Sequence, residues 1–142
     1  MKFLGIDHGN RRIGIAISDP DGKFARPLEI IQHVSRAIDA QEVLAIALEN
    51  ECEAILVGLP LDSEGKVGPR ARSVNRFVEE LRSIAAISVY TWDETNSTKE
   101  VLQASILRGE KQKKRRAPMD HHAAALILQD YLDNYCHEVE NE

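Results

Sequence analysis

The apolar residues of this chain change their period once, and that change restricts the fold more than any other feature. As far as Gln32, short apolar runs alternate with tight turns. Phe3 to Asp7 and Ile13 to Ser18 read as strands around a turn at Gly9 and Asn10, and Asp19-Pro20-Asp21-Gly22 is a second strong turn before a third strand over Ala25 to Gln32. Three strands joined this tightly form an antiparallel meander. From Ser35, a plausible N-cap, the spacing becomes helical: Ile38, Val43, Leu44, Ile46, Ala47 and Leu48 recur on one side as far as Glu51. Ala54 to Gly58 is a continuous apolar run, the mark of a strand covered on both faces. A loop over Leu59 to Pro69, a helix from Arg70 carrying Val74, Phe77, Val78 and Leu81, and a strand over Ile87 to Trp92 follow. A helix over Ser97 to Leu107, a basic linker up to Pro118 and a last helix opened by Asp120 complete the order βββαβαβαα. The expected fold is a mixed five-stranded α/β sheet with helices on both faces, because parallel neighbours need crossovers.

A length of 142 residues with 43% apolar content suits one domain, 1–142, with a single core. No run reaches the ~18 apolar residues of a membrane span, and the N-terminus lacks signal-peptide regions, so a cytoplasmic location is expected. The two cysteines, Cys52 and Cys136, have neither disulfide-framework nor zinc-finger spacing. A net charge of -5 excludes a non-specific nucleic-acid coat, yet Arg108, Lys111, Lys113, Lys114, Arg115 and Arg116 crowd into one short stretch.

Acids stand at element ends. Asp7 closes the first strand, Asp93-Glu94 the last, and Asp120 precedes the final helix. In open α/β sheets, sites gather beyond the carboxyl ends of strands. Three converging carboxylates repel one another, and a hard cation with oxygen ligands, Mg²⁺ or Mn²⁺, is their natural partner. Two such ions ~4 Å apart suit phosphodiester cleavage. Each acid also has a plainer explanation: Asp7 as a turn acceptor, Asp120 as an N-cap, and Asp93 and Glu94 as solvated loop acids. The metal reading therefore rests on the set.

The run Asp7-x-Gly9-x-x-Arg12-Ile13-Gly14-Ile15-Ala16-Ile17-Ser18-Asp19 resembles the first hairpin of the YqgF (RuvX) family, in the ribonuclease H-like nuclease superfamily. Val57-Gly58-Leu59-Pro60-Leu61 with Gly65, Asp93-Glu94 before Ser/Thr, and Asp120-x-x-Ala123-Ala124 resemble its later motifs in the same order. The resemblance spans nearly the whole chain. It implies a ribonuclease H-like sheet, a triad of Asp7, Glu94 and Asp120 that is both catalytic and metal-binding, and a nuclease maturing the 5′ end of pre-16S ribosomal RNA. Holliday-junction resolution is the alternative it implies. One position departs: Thr95 stands where the family has Arg after Asp-Glu. Thr cannot supply that charge, so Arg12 or the basic linker would have to.

Further candidates for nucleic-acid contact are Arg12, beside Asp7, then Arg70 and Arg72 at a helix start, and Lys113, Lys114, Arg115 and Arg116 in the linker. Each could equally be a solvated surface residue. The expected partners are structured RNA or branched DNA, with the chain a monomer or homodimer. Two other classes compete: a nucleotide-dependent enzyme, since Asp-x-Gly hairpins also occur in sugar kinases and actin-like ATPases, and an RNA-binding assembly factor without chemistry. The chain is too short for the paired domains of the former.

Overall fold

The computed structural model describes residues 1–62, 64–93 and 121–140, with side chains of the last segment described over 122–134. Its elements are β1 (Phe3–His8), β2 (Arg12–Ser18), β3 (Ala25–Gln32), α1 (Arg36–Glu49), β4 (Ala54–Leu59), α2 (Pro69–Ile84), β5 (Ser88–Asp93) and α3 (His121–Glu140). The expected helix over Ser97 to Leu107 and the basic linker lie outside the described residues.

The five strands lie in the order β3-β2-β1-β4-β5. β1 pairs antiparallel with β2, and β2 with β3, so the meander forms as expected. β4 lies parallel to β1 on one side and to β5 on the other. The carboxyl ends of β1, β3, β4 and β5 therefore share one edge of the sheet. The β2–β3 turn closes as its composition requires, with the Gly22 N–H donating to the Asp19 carbonyl at 3.0 Å and Gly22 at φ 71°.

Element ends shift by a residue or two from the sequence expectation. β1 runs on through His8, β4 through Leu59, and β5 spans Ser88–Asp93 rather than Ile87 to Trp92. α1 stops at Glu49, before Asn50 as C-cap and Glu51 in the left-handed region at φ 60°. α2 begins one residue early, at Pro69, whose missing N–H costs nothing in a first turn.

Strand alternation divides the core in two. Leu4, Ile6, Ile13, Ile15, Ile17, Ile55, Val57 and Val89 face α1 and α2, where Val43, Val74, Phe77 and Leu81 meet them. Phe3, Ala16, Ala54 and Leu56 face α3, which covers them with Ala124, Leu128, Tyr131 and Leu132. On this second side the backbone comes close: a Cβ at Gly5 would lie 2.8 Å from the Leu128 Cβ. α3 runs antiparallel to β1, because Tyr131 stacks edge-on to Phe3 at 5.5 Å while Leu128, nearly a turn earlier, sits over Gly5 two residues further along the strand.

Candidate active site at the carboxyl edge of the sheet

Asp7 lies two residues beyond Gly5 on the same face of β1, and is only 7% exposed. Its cross-strand partner on β2 is Gly14. On the other side Ile6 pairs with Val57, which makes Gly58 the next position of β4. Both flanking residues are glycines, so neither β2 nor β4 sets a side chain beside the carboxylate at that level of the sheet. Continuing across, Gly58 pairs with Trp92. Asp7, Gly14, Gly58 and Trp92 thus share the α3 face, with Asp7 and Trp92 about 10 Å apart at two strand spacings.

Trp92 ties this edge to α3. Its indole N–H donates to Asp130 Oδ2 at 2.7 Å, and its ring meets Tyr131 edge-on at 5.4 Å. Alternation then puts Asp93, paired with Leu59, on the opposite face, towards α2. Of the three expected carboxylates, the structure places Asp7 at the edge; Glu94 and Asp120 lie outside the described residues. Among the described residues no group of three His, Cys, Asp or Glu side chains could hold a metal ion.

The expected basic contacts divide in the same way. Arg12 starts β2 and pairs with Gln32. Arg70 and Arg72 are exposed in the first turn of α2. That turn lies at the carboxyl edge, since Arg82 at the other end of α2 donates to the carbonyl of Val89, near the start of β5, at 2.7 Å. Lys113, Lys114, Arg115 and Arg116 lie outside the described residues, as does Thr95.

His8 faces away from Asp7, as alternation predicts, and stacks on Phe77 with ring centroids 4.7 Å apart. Burial lowers its pKa below the ordinary 6.5, partly offset by the nearby negative charge of Asp39, while His33 and Arg36 push the same way as burial. Asp39 itself is fully buried, accepting from the Val34 N–H at 2.9 Å and bonded to His33 Nδ1. Sequence reasoning missed this pair. Its one signal is a carboxylate on the apolar stripe of α1, one turn ahead of Val43.

The model of a family described as Holliday junction resolvase, RuvX, matches residues 1–134. The chain belongs to the RuvX family. Two relatives, both named "Putative pre-16S rRNA nuclease", come from Rhodopseudomonas palustris and Roseiflexus. The first is 39% identical over 131 residues, covering 92% of this chain and 82% of its own length. The second is 38% identical over 133 residues, covering 94% of each. Among solved structures, Thermus thermophilus RuvC in complex with a Holliday junction superposes with a TM-score of 0.62 at 19% identity, covering 96% of both chains. That likeness bears out the expected ribonuclease H-like fold for this RuvX-family chain.

Proposed function

We propose that this RuvX-family chain is a single-domain nuclease that hydrolyses phosphodiester bonds, with Mg²⁺ or Mn²⁺ held by Asp7, Glu94 and Asp120, and that it trims the 5′ end of pre-16S ribosomal RNA. The observation that carries this reading is Asp7: a carboxylate more than nine-tenths buried, at the carboxyl end of a central strand, between two positions without side chains. An ionised group is kept so far from water only where a cation or donors meet it.

The other two acids suit the same place. Asp93 faces away from Asp7, so of the two adjacent acids this reading takes Glu94 as the ligand. Since α3 is antiparallel to β1, its N-terminal end at His121 lies towards the carboxyl edge, and Asp120 is the residue that precedes it in the sequence. Three carboxylates with no thiolate among them form a hard oxygen donor set, which fits divalent magnesium or manganese.

Bound there, such cations would supply Lewis acidity at the scissile phosphate and at the attacking water. The chain's own residues do the rest. Asp7, on the rigid central strand, fixes the donor set against the sheet. Trp92, locked to Asp130, holds the end of β5 against α3. Arg12, Arg70 and Arg72 lie at the same edge, placed to neutralise the backbone on either side of the bond, with Lys113, Lys114, Arg115 and Arg116 adding charge ahead of Asp120.

A second reading, cleavage of branched DNA, is favoured by the family description. It requires two sites related by a two-fold axis and hence a homodimer, whereas RNA trimming needs only a monomer. The test is to offer the purified chain, with Mg²⁺ or Mn²⁺, a 5′-extended 16S ribosomal RNA and a four-way DNA junction in parallel. The expected result is metal-dependent RNA cleavage that stops on chelation. Cleavage of the junction alone would replace rRNA trimming by resolution. Tight RNA binding without cleavage under either metal would make the chain an assembly factor.

A further inference from the structure

The corner of the sheet edge beyond β3 carries a cationic cluster that the metal site does not use. His33 follows the last residue of β3, and its N–H donates to the Arg11 carbonyl at 2.9 Å, which pins it against the β1–β2 turn. Its ring is held at Nδ1, which is bonded to the fully buried Asp39, while the side chain as a whole is 38% exposed. Arg36 opens α1 two residues beyond Val34, whose N–H the same carboxylate accepts. Arg11 and Arg36 are exposed and Arg12 half-buried, and among the described residues none of the three makes an ion pair. Past Arg36 the surface turns mixed, where Arg76, Glu79 and Glu80 line a groove with it, and this ends the cationic run.

Solvated arginines are ordinary. A buried carboxylate spent on orienting an exposed imidazole among them is not, because an ion in the interior is costly unless well paired. The arrangement resembles a built anion contact: one oriented ring and three arginines that make no ion pair among the described residues, at the β1–β2 turn, the end of β3 and the start of α1. Its position relative to the metal site follows from register. Asp7 pairs with Gly14 and Gly14 with Ile30, three residues before His33. Two strand spacings across and three residues along put the His33 backbone about 14 Å from that of Asp7, with the His33 and Arg36 side chains near His8, on the α1 side of the same edge. At 3.4 Å per nucleotide of a stacked strand, that is about four nucleotides.

We propose that Arg11, His33 and Arg36, with Arg12 between them and Asp7, form a second backbone-binding site that grips phosphates of the nucleic-acid strand about four nucleotides from the scissile bond. The proposal rests on the nuclease reading for what is cut, and only on the surface for what is gripped. The site reads no base; it sets how far the strand extends across the sheet edge before the chain holds it.

The test measures binding of a fluorescein-labelled single-stranded oligoribonucleotide to the full chain carrying Asp7→Asn, across a range of salt. Adding Arg11→Gln and Arg36→Gln together should raise Kd about tenfold and lower the slope of log K against log salt by about 1.4, two single-strand phosphate contacts. His33→Gln should raise Kd by less. Arg26→Gln, an exposed arginine on β3 at the opposite edge of the sheet, is the control and should leave both unchanged. Both arginines are exposed, and an unchanged thermal midpoint checks that the variants fold. An unchanged Kd and slope in the double variant would overturn the proposal, as would an equal loss from Arg26→Gln. If binding weakens as expected but the parent chain cleaves nothing, the surface stands and the nuclease reading falls; cleavage by the parent with undiminished binding in the double variant has the reverse meaning.

Discussion

The two faces of the sheet are built to different depths. Towards α1 and α2 the strands present isoleucines, leucine and valine, and the helices answer with Val43, Val74, Phe77 and Leu81 in a thick aliphatic layer. Towards α3 the same strands present Gly5, Gly14, Ala16, Ala54 and Gly58 beside Phe3 and Leu56, and among the described residues α3 alone covers them, almost touching the backbone at Gly5. The thick face stabilises the molecule. At the carboxyl end of the thin face stands Asp7, and a helix seated this close, antiparallel to β1, has its N-terminal end towards the same edge. Site and stability are thus separated by which side of a strand a residue faces, and adjacent residues such as Asp7 and His8 belong to different parts of the protein's work.

Mutations on the two faces should therefore differ in cost, and only the thin face should resist an added methyl. Leu128→Ala, which strips the thin face of its largest buried contact over Gly5, should cost about 2–5 kcal/mol in chemical unfolding. Adding one methyl on that face, Gly5→Ala, should cost about 1–3 kcal/mol, since the new Cβ would meet Leu128 at 2.8 Å and the backbone of α3 must give way. Removing one methyl from the thick face, Ile55→Val, should cost only about 0.5–1.5 kcal/mol. If Gly5→Ala is neutral while Ile55→Val is not, the two faces do not differ in the way the packing indicates.

The smallest effect concerns pH. His8, buried against Phe77, has its pKa lowered in the folded chain, so the unfolded chain binds the proton more readily. Stability should then fall as pH drops below 6.5, down to the lower pKa of the folded state. The groups around it are Asp39, which opposes the shift, and His33 and Arg36, which favour it. Unfolding midpoints of the parent chain and His8→Gln, measured from pH 7.5 down to about pH 5, should converge as pH falls. Parallel curves would show that His8 carries none of the dependence.

Much of this was legible in the residues. The meander, the crossovers and the position of Asp7 at a strand end follow from period and turn chemistry alone. The sidedness was present too: in β2, Ile13, Ile15 and Ile17 alternate with Gly14, Ala16 and Ser18. Hydropathy hides that alternation, because glycine and alanine count with the apolar residues and the strand reads as one continuous run. What could not be read were contacts set by packing between distant segments. Trp92 and Asp130 are 38 residues apart, and His33 meets Asp39 only because a strand ends and a helix begins between them. The end of β5 mattered most, since one residue decides whether Asp93 or Glu94 shares a face with Asp7, and strand ends are the least certain feature of any sequence reading.

That residue offers the sharpest test. Metal-dependent cleavage of 5′-extended 16S ribosomal RNA should be measured side by side for the parent chain, Asp7→Asn, Glu94→Gln and Asp93→Asn. The account predicts losses on the order of 10³-fold for Asp7→Asn and Glu94→Gln, the worth of several kcal/mol of lost charge stabilisation, with Asp93→Asn close to the parent. Undiminished cleavage by Asp7→Asn, or loss in Asp93→Asn with Glu94→Gln intact, would contradict it.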